Sequence, residues 1–314
     1  MTSLATSKLQ LQFNGHTSKV TDIKICNIND TPILYTASRD KTVKGWEFVK
    51  DQTGETVAKA CRRYTGHGGF VNAFEVSRDG EYLVSVGEDK MIRRWSKLTS
   101  GEGEIKNTSG KKVNCVLVNK KGRDYIITGE KGGAISIWNS QLELKKTLQR
   151  TDNKTAGVTA IKAVPNKDET FLCAYEDGSV VAWNVDTEKM ENIMKGHDTI
   201  INAMTVSPDG SLCATSGRDK IVLLWDLKGQ NNKCQISIDE PVHCLEFALS
   251  AYWLAAGTDN GIVVWDILEK DIIVEIPNAE ENKGACTSIC WADSFTLIAG
   301  YADGSIRKYA FNVE

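Results

Sequence analysis

The sequence predicts an all-β fold, a seven-bladed β-propeller, and three observations predict it. Tryptophans recur at a near-constant interval, aspartates stand at a fixed distance before them, and the text between alternates in twos with no sustained helical period. Trp46, Trp95, Trp138, Trp183, Trp225 and Trp265 are separated by 49, 43, 45, 42 and 40 residues, and Tyr309 takes the same place 44 residues further on. Six positions before these anchors stand Asp40, Asp89, Gly132, Asp177, Asp219, Asp259 and Asp303.

The parts of each unit follow in order. Gly15-His16, Gly66-His67 and Gly196-His197 open three of them. Val76-Ser77-Arg78-Asp79-Gly80 and Val206-Ser207-Pro208-Asp209-Gly210 are strand ends running into turns whose Gly and Pro set the backbone. Ile221 to Trp225 and Ile262 to Trp265 are short, β-branched and bounded by turn residues, as buried strands are. Four short strands per ~40–45 residues, closed by Trp225-Asp226 or Trp265-Asp266, make the WD-repeat signature. The spacing predicts a single domain, 1–314, with blades at 15–65, 66–109, 110–155, 156–195, 196–237 and 238–284, and a seventh at 285–314 plus 4–14. After Cys286 only three strands fit, at 287–292, 296–301 and 305–311. The alternating segment 8–13 is expected to supply the fourth and close the ring in blade seven, because open sheet edges are costly.

Composition narrows the function classes. With 41% hydrophobic and 25% charged residues, 26 Gly and 5 Pro, the chain is neither collagen-like nor disordered. No apolar run approaches the ~20 residues of a membrane span, and residues 1–10 lack the blocks of a signal peptide. A soluble, cytoplasmic protein is expected. Nine cysteines without a CxxC spell neither a disulfide framework nor a zinc ribbon and read as reduced, mostly buried thiols. The net charge of −3 is divided unevenly: residues 1–150 hold 25 Lys+Arg against 16 Asp+Glu (+9), and residues 151–314 hold 13 against 25 (−12). Such asymmetry suggests a polyanionic partner on one side of the molecule.

His16, Asp40 and Trp46, then His67, Asp89 and Trp95, then His197, Asp219 and Trp225 are expected, each with a Ser or Thr, to form buried hydrogen-bonded networks that hold the blade turns. The alternative, a Ser-His-Asp triad, conflicts with the repetition, since an enzyme needs one site and not three. His243 beside Cys244 reads as strand with no second ligand, and Cys286 with Cys290 matches no zinc spacing. The acidic run Gly101 to Glu104 lacks the Lys of a phosphate-binding loop. No catalytic residue, metal or cofactor is predicted. Blade three carries Glu130-Lys131-Gly132-Gly133 and blade four opens near Ala156-Gly157-Val158, both without His, so the network of blade three is expected to be weakened. The long interval between Trp46 and Trp95 places an extended connection at Lys50 to Tyr64.

Several stretches go beyond the generic repeat. Ser38-Arg39-Asp40-Lys41-Thr42-Val43, the run from Val206 to Ala214, Tyr252-Trp253-Leu254 and Ala299-Gly300-Tyr301-Ala302-Asp303 together resemble the receptor for activated C kinase family, over all seven units. The resemblance implies a non-enzymatic, Gβ-like scaffold of the small ribosomal subunit that recruits protein kinases, protein kinase C among them, and translation or signalling factors. It also implies that Arg39 and Lys41 approach ribosomal RNA and that Arg62 matches a further basic position, whereas Thr65 stands where the family often has Arg.

Geometry supports a basic docking face independently. In a four-stranded blade the second-to-third-strand turn and the connection to the next blade lie on one face of the disc. Arg39, Lys41, Arg62, Arg63, Lys90, Lys111 and Lys112 are all expected in such connections of the first three blades, clustered for phosphate contact without base readout. Lys120, Lys121 and Arg123 are expected on the opposite face, solvated. The alternatives are a WD scaffold of another complex and a Gβ subunit of a G protein, for whose long first helix the 14 residues before Gly15-His16 leave no room.

Overall fold

The structure, a computed structural model, describes residues 6–28, 31–77, 79–96, 104–107, 110–118, 125–152, 154–229, 231–250, 252–278 and 284–312. Among them, strands build seven four-stranded antiparallel sheets arranged as the blades of a propeller. From the axis outward, blade one is β2 (Val20–Ile28), β3 (Thr31–Ser38), β4 (Thr42–Lys50) and β5 (Thr56–Thr65), and blade two is β6 (Val71–Val76), β7 (Tyr82–Gly87), β8 (Met91–Ser96) and β9 (Glu104–Asn107). Blade three runs β10 (Val113–Val118), β11 (Tyr125–Glu130), β12 (Ile135–Asn139) and β13 (Leu144–Leu148), and blade four β14 (Val158–Val164), β15 (Lys167–Tyr175), β16 (Ser179–Asn184) and β17 (Lys189–Lys195). Blade five holds β18 (Ile201–Val206), β19 (Leu212–Gly217), β20 (Ile221–Asp226) and β21 (Asn231–Ser237), and blade six β22 (Val242–Phe247), β23 (Trp253–Thr258), β24 (Gly261–Asp266) and β25 (Asp271–Pro277). Blade seven joins β26 (Cys286–Asp293), β27 (Thr296–Tyr301) and β28 (Ser305–Asn312) to β1 (Thr6–Asn14), with Leu9 opposite Tyr309 and Phe13 opposite Ile306.

The expected connection from Lys50 to Tyr64 is corrected by this topology. Residues 51–55 alone turn the chain, and Thr56–Thr65 is the outer strand β5, paired along β4 from Thr42–Thr65 to Lys50–Thr56. An outer strand buries only one edge and one face, so its hydrophobic alternation is weak and reads as a loop.

The core is divided among the spaces between blades, one cluster for each adjacent pair. Every anchor faces the preceding blade: Trp95 packs with Tyr35, Tyr64 and Phe74, Trp183 with Ile127 and Ile161, and Tyr309 with Ile262 and Val264. Trp46 meets Ile298 and Ile306 of blade seven and the ring of Phe13, 5.0 Å away. Truncating a buried Trp costs ~3–5 kcal/mol, so these contacts set the angle at which blades meet.

A second set of bonds links the innermost strands. Thr21 Oγ1 donates to the Val71 carbonyl (2.7 Å), Asn72 Nδ2 to that of Val113 (2.8 Å), Asn114 Nδ2 to that of Val158 (2.7 Å), and Thr287 Oγ1 to that of Val20. One side chain per blade thus belts blades seven, one, two, three and four around the axis. In blade four the equivalent Thr159 hydroxyl is buried without a partner, and in blade six His243 turns out to Asp259 (2.7 Å).

Candidate nucleic-acid interface

The turn joining β3 to β4 is built from the inside outward. Trp46 Nε1 donates to Thr36 Oγ1 (2.9 Å), Thr36 Oγ1 lies 2.8 Å from His16 Nε2, and His16 Nδ1 lies 2.7 Å from Asp40 Oδ2. Asp40 Oδ1 accepts the Thr42 hydroxyl (2.6 Å) and amide (3.1 Å). Burial works to raise the Asp40 carboxyl, but the bonds from His16 and Thr42 outweigh it and hold it well below the usual carboxylate range. The carboxylate therefore stays charged and faces inward, toward its own blade.

Blades two and five repeat the network. His67 reaches Asp89 (2.8 Å) and Ser85 (2.8 Å), with Trp95 on Ser85 (2.8 Å); His197 reaches Asp219 (2.7 Å) and Thr215 (2.8 Å), with Trp225 on Thr215 (2.8 Å). A hydrolytic reading fails on geometry: Thr36, Ser85 and Thr215 are fully buried, and each hydroxyl already accepts a Trp N–H, so none can present itself to a substrate. No cluster of three or more His, Cys, Asp or Glu able to hold a metal occurs among the described residues.

The other blades solve the same turn with other residues. Blade three keeps the Trp138–Thr128 bond (3.0 Å), while fully buried Glu130 lies 3.4 Å from the Ser136 hydroxyl. In blade four Arg150 substitutes for the missing His: Nη1 donates to both Asp177 oxygens (3.2 and 3.1 Å) and to Ser179 (2.8 Å), with the guanidinium over the Tyr175 ring (4.7 Å). Blade seven sets Arg307 over Tyr301 (3.8 Å) and bonds the Tyr301 and Tyr309 hydroxyls (2.9 Å). These roles were missed in the sequence; the signal was an Asp retained without its His, which demands another cation.

Because Asp40 is held inward, its neighbours project outward. Arg39 and Lys41 are exposed, and Lys41 sits at φ 71°, the left-handed position that Gly178 and Gly304 occupy in blades four and seven. Arg39 lies over the Phe70 ring (5.3 Å) in the connection from β5 to β6, and its amide donates to the Lys19 carbonyl (3.0 Å). Burial, then the nearby Arg39, lower the Lys19 ammonium from its ordinary value. Lys90 occupies the equivalent turn of blade two at φ 66°, and Lys111 and Lys112 lie in the connection from β9 to β10, where Lys112 pairs with Glu88 (3.0 Å).

Arg62 and Arg63 require a correction. They belong to strand β5 and not to a connection, so they alternate to opposite faces of the blade. Arg62 Nη1 donates to the Tyr35 hydroxyl (3.0 Å), in a space that Gly45 leaves open: a Cβ there would meet Arg62 Cβ and Tyr35 Cε1, both at 3.2 Å. Arg63 lies across from Lys44, whose ammonium is lowered by burial, with Asp40 opposing and Arg63 adding to the shift. Of the seven expected cations, five (Arg39, Lys41, Lys90, Lys111 and Lys112) lie in turns and connections, and two (Arg62 and Arg63) lie in the outer strand of blade one. Lys120, Lys121 and Arg123 lie outside the described residues.

Seven sheets about one axis, Trp anchors between blades and His–Asp-clamped turns define a WD-repeat β-propeller with a basic set of turns on one face. The WD domain, G-beta repeat family matches residues 7–47, 58–96, 188–226 and 232–266. The chain is 31% identical to the small ribosomal subunit protein RACK1 of Drosophila melanogaster over 308 residues, 95% of each chain. It is equally 31% identical to that of Caenorhabditis elegans (98% of this chain, 97% of the relative) and to RACK1y of Oryza sativa subsp. japonica (94% and 93%). The chain belongs to the RACK1 family, and it is a non-enzymatic scaffold.

Proposed function

We propose that this chain docks on the small ribosomal subunit in the cytoplasm through the face bearing the β3–β4 turn, with Arg39 and Lys41 on the phosphate backbone of ribosomal RNA. The observation that carries the reading is the exposed Arg39–Lys41 pair on a turn whose own carboxylate is engaged inward, in a chain whose relatives are named as small-subunit proteins. Lys90, Lys111 and Lys112 extend the contact along the same face, and Arg62 and Arg63 border it from the outer strand. Phosphate contacts orient a protein without reading sequence, which suits a scaffold held at one place on a particle. Recruitment of kinases, protein kinase C among them, and of translation or signalling factors belongs to the same proposal and rests on family membership.

The test is Arg39→Asp with Lys41→Glu. Asp40, His16 and Trp46 remain, so circular dichroism and melting should match the parent. Co-sedimentation with small subunits should fall, and the slope of log affinity against log salt should shrink by ~0.7–0.9 for each phosphate no longer neutralised. Lys189→Glu, at the start of β17, should leave both unchanged. A folded double variant that co-sediments with unaltered salt dependence refutes the assignment and favours a scaffold of another complex.

A further inference from the structure

Antiparallel alternation puts the β22–β23, β24–β25 and β26–β27 turns on the face opposite Arg39 and Lys41. Eight large apolar side chains are exposed among the described residues, and five of them, Leu249, Tyr252, Leu268, Ile272 and Phe295, fall in or beside these three turns. Leu268 is 67% exposed, Leu249 56% and Phe295 51%, far more than packing alone requires. Concentration of apolar surface on one part of a face marks an interaction site.

The platform is tied together by hydrogen bonds and packed rings. Tyr252 donates its hydroxyl to Asp209 Oδ2 (3.0 Å), tying blade six to blade five, and Ser250 donates to Ser294 (2.7 Å), tying blade six to blade seven. Beneath them the Trp253 ring lies 6.5 Å from that of Trp291 and meets Phe295 edge-on at 6.2 Å. Side chains already engaged in such contacts have less rotamer freedom left to lose when they are covered.

Its charge is as regular as its apolar content. Asp293 Oδ1 accepts the Phe295 amide (2.9 Å), Asp266 Oδ1 that of Leu268 (2.8 Å), Asp271 Oδ1 that of Ile272 (2.8 Å), and Asp209 accepts Tyr252. The Ser207 and Ser211 hydroxyls hold the Asp209 carboxyl well below the usual range. With Glu269, five carboxylates stand among these apolar side chains against one lysine, Lys270. Nucleic acid and anionic lipid are repelled by that pattern. A protein segment presenting apolar side chains bordered by Lys and Arg satisfies both halves of it.

We propose that the face formed by Leu249, Tyr252, Leu268, Ile272 and Phe295 with its interleaved carboxylates is a docking site for a basic amphipathic protein segment. It stands apart from the ribosomal reading: the two faces are opposite, so this one remains open while the other is occupied.

The probe is a fluorescein-labelled 18-residue Leu/Lys peptide with helical amphipathic spacing, titrated by anisotropy against the full chain. A Leu/Glu peptide of the same spacing and a scrambled Leu/Lys peptide serve as comparisons. The amphipathic basic peptide should bind with an affinity that falls as salt rises and should exceed both others at least tenfold. Leu249→Ser with Phe295→Ser should weaken it at least tenfold; Leu268→Ser, at a side chain outside the core, provides a second variant whose fold is not at risk. Glu269→Lys should flatten the salt dependence, and Arg39→Asp with Lys41→Glu should bind as the parent does. Equal binding by the folded serine variants, or by the scrambled peptide, overturns the proposal. So does a dimer in sedimentation velocity that the serine variants abolish, since the occupant is then a second copy of this chain.

Discussion

Replacing Thr215 by Val tests whether the clamp in the blades rests on one hydroxyl. Thr215 Oγ1 is fully buried and serves both Trp225 Nε1 and His197 Nε2, each at 2.8 Å. Valine keeps the shape and removes both bonds. Each buried polar group left unpaired costs ~1–3 kcal/mol, so Thr215→Val, which leaves two, should cost about 2–6 kcal/mol. Blade three supplies the comparison, because Thr128 bonds Trp138 (3.0 Å) in a blade that lacks the histidine, and Thr128→Val should cost only about 1–3 kcal/mol. For 314 residues the unfolding entropy is about 0.66 kcal/mol/K, so a loss of about 3 kcal/mol lowers Tm by about 5 °C. Urea titrations followed by tryptophan fluorescence and circular dichroism give both differences, and Thr215→Ser should restore the parent midpoint, as Ser85 does this work in blade two. Equal losses for the two valine variants, or a loss below about 0.5 kcal/mol for Thr215→Val, would show that the histidine bond contributes nothing and that the clamp does not rest on this hydroxyl.

Other outcomes follow from the same geometry. Deleting residues 1–13 removes nearly all of β1 and the Phe13–Trp46 contact, so Tm should drop sharply and unfolding should broaden; an unchanged cooperative melt counts against ring closure by β1. Asp40 and Asp89 have depressed folded-state values, so their contribution is present above the unfolded carboxylate value of ~3.9 and is lost as pH falls through the folded values. Tm should therefore decline below about pH 4, and Asp40→Asn should flatten that decline; an identical acid limb in the variant contradicts it. Gly178→Ala, at φ 78° with the new Cβ 2.3 Å from the His197 carbonyl, should cost about 3 kcal/mol or more, whereas Gly54→Ala, at φ 85° with nothing within 4 Å, should cost only about 1 kcal/mol. Equal urea midpoints for the two would show that the contact is relieved by backbone movement.

The propeller was legible because its anchors are local in sequence. A Trp, the Asp six residues before it and the hydroxyl ten residues before it belong to one hairpin, so their full spacing repeats in blades one, two and five and marks the period. Strand β5 was not legible: among its ten residues only Tyr64 is buried, and the rest alternate too weakly to separate a strand from a loop. The Arg39–Lys41 turn could be placed on its face from topology, whereas the separation of Arg62 from Arg63 depended on where β5 begins. Arg150 meets Asp177 across 27 residues, and the only warning is an Asp kept at its repeat position without the usual His, which does not say which cation replaces it. The apolar platform is equally silent in the sequence, since it is assembled from single turn residues of different blades that share no period.

Pairing Leu9 with Tyr309 has a consequence in time. A ribosome that adds ~5–20 residues per second needs about 15–60 s to travel between those two positions. Throughout that interval β1 has been made and its partner has not, so the flank of blade one that will bury Ile23 and Leu34 stays uncovered. The earlier blades can stack as they emerge, but the circle shuts only once β28 has left the exit tunnel, through the pairing of widest sequence separation among the described residues. Nascent chains of this protein should accordingly be held by chaperones until β28 is exposed, and stalling translation before residue 305 should yield an open arc that is degraded and never a smaller ring.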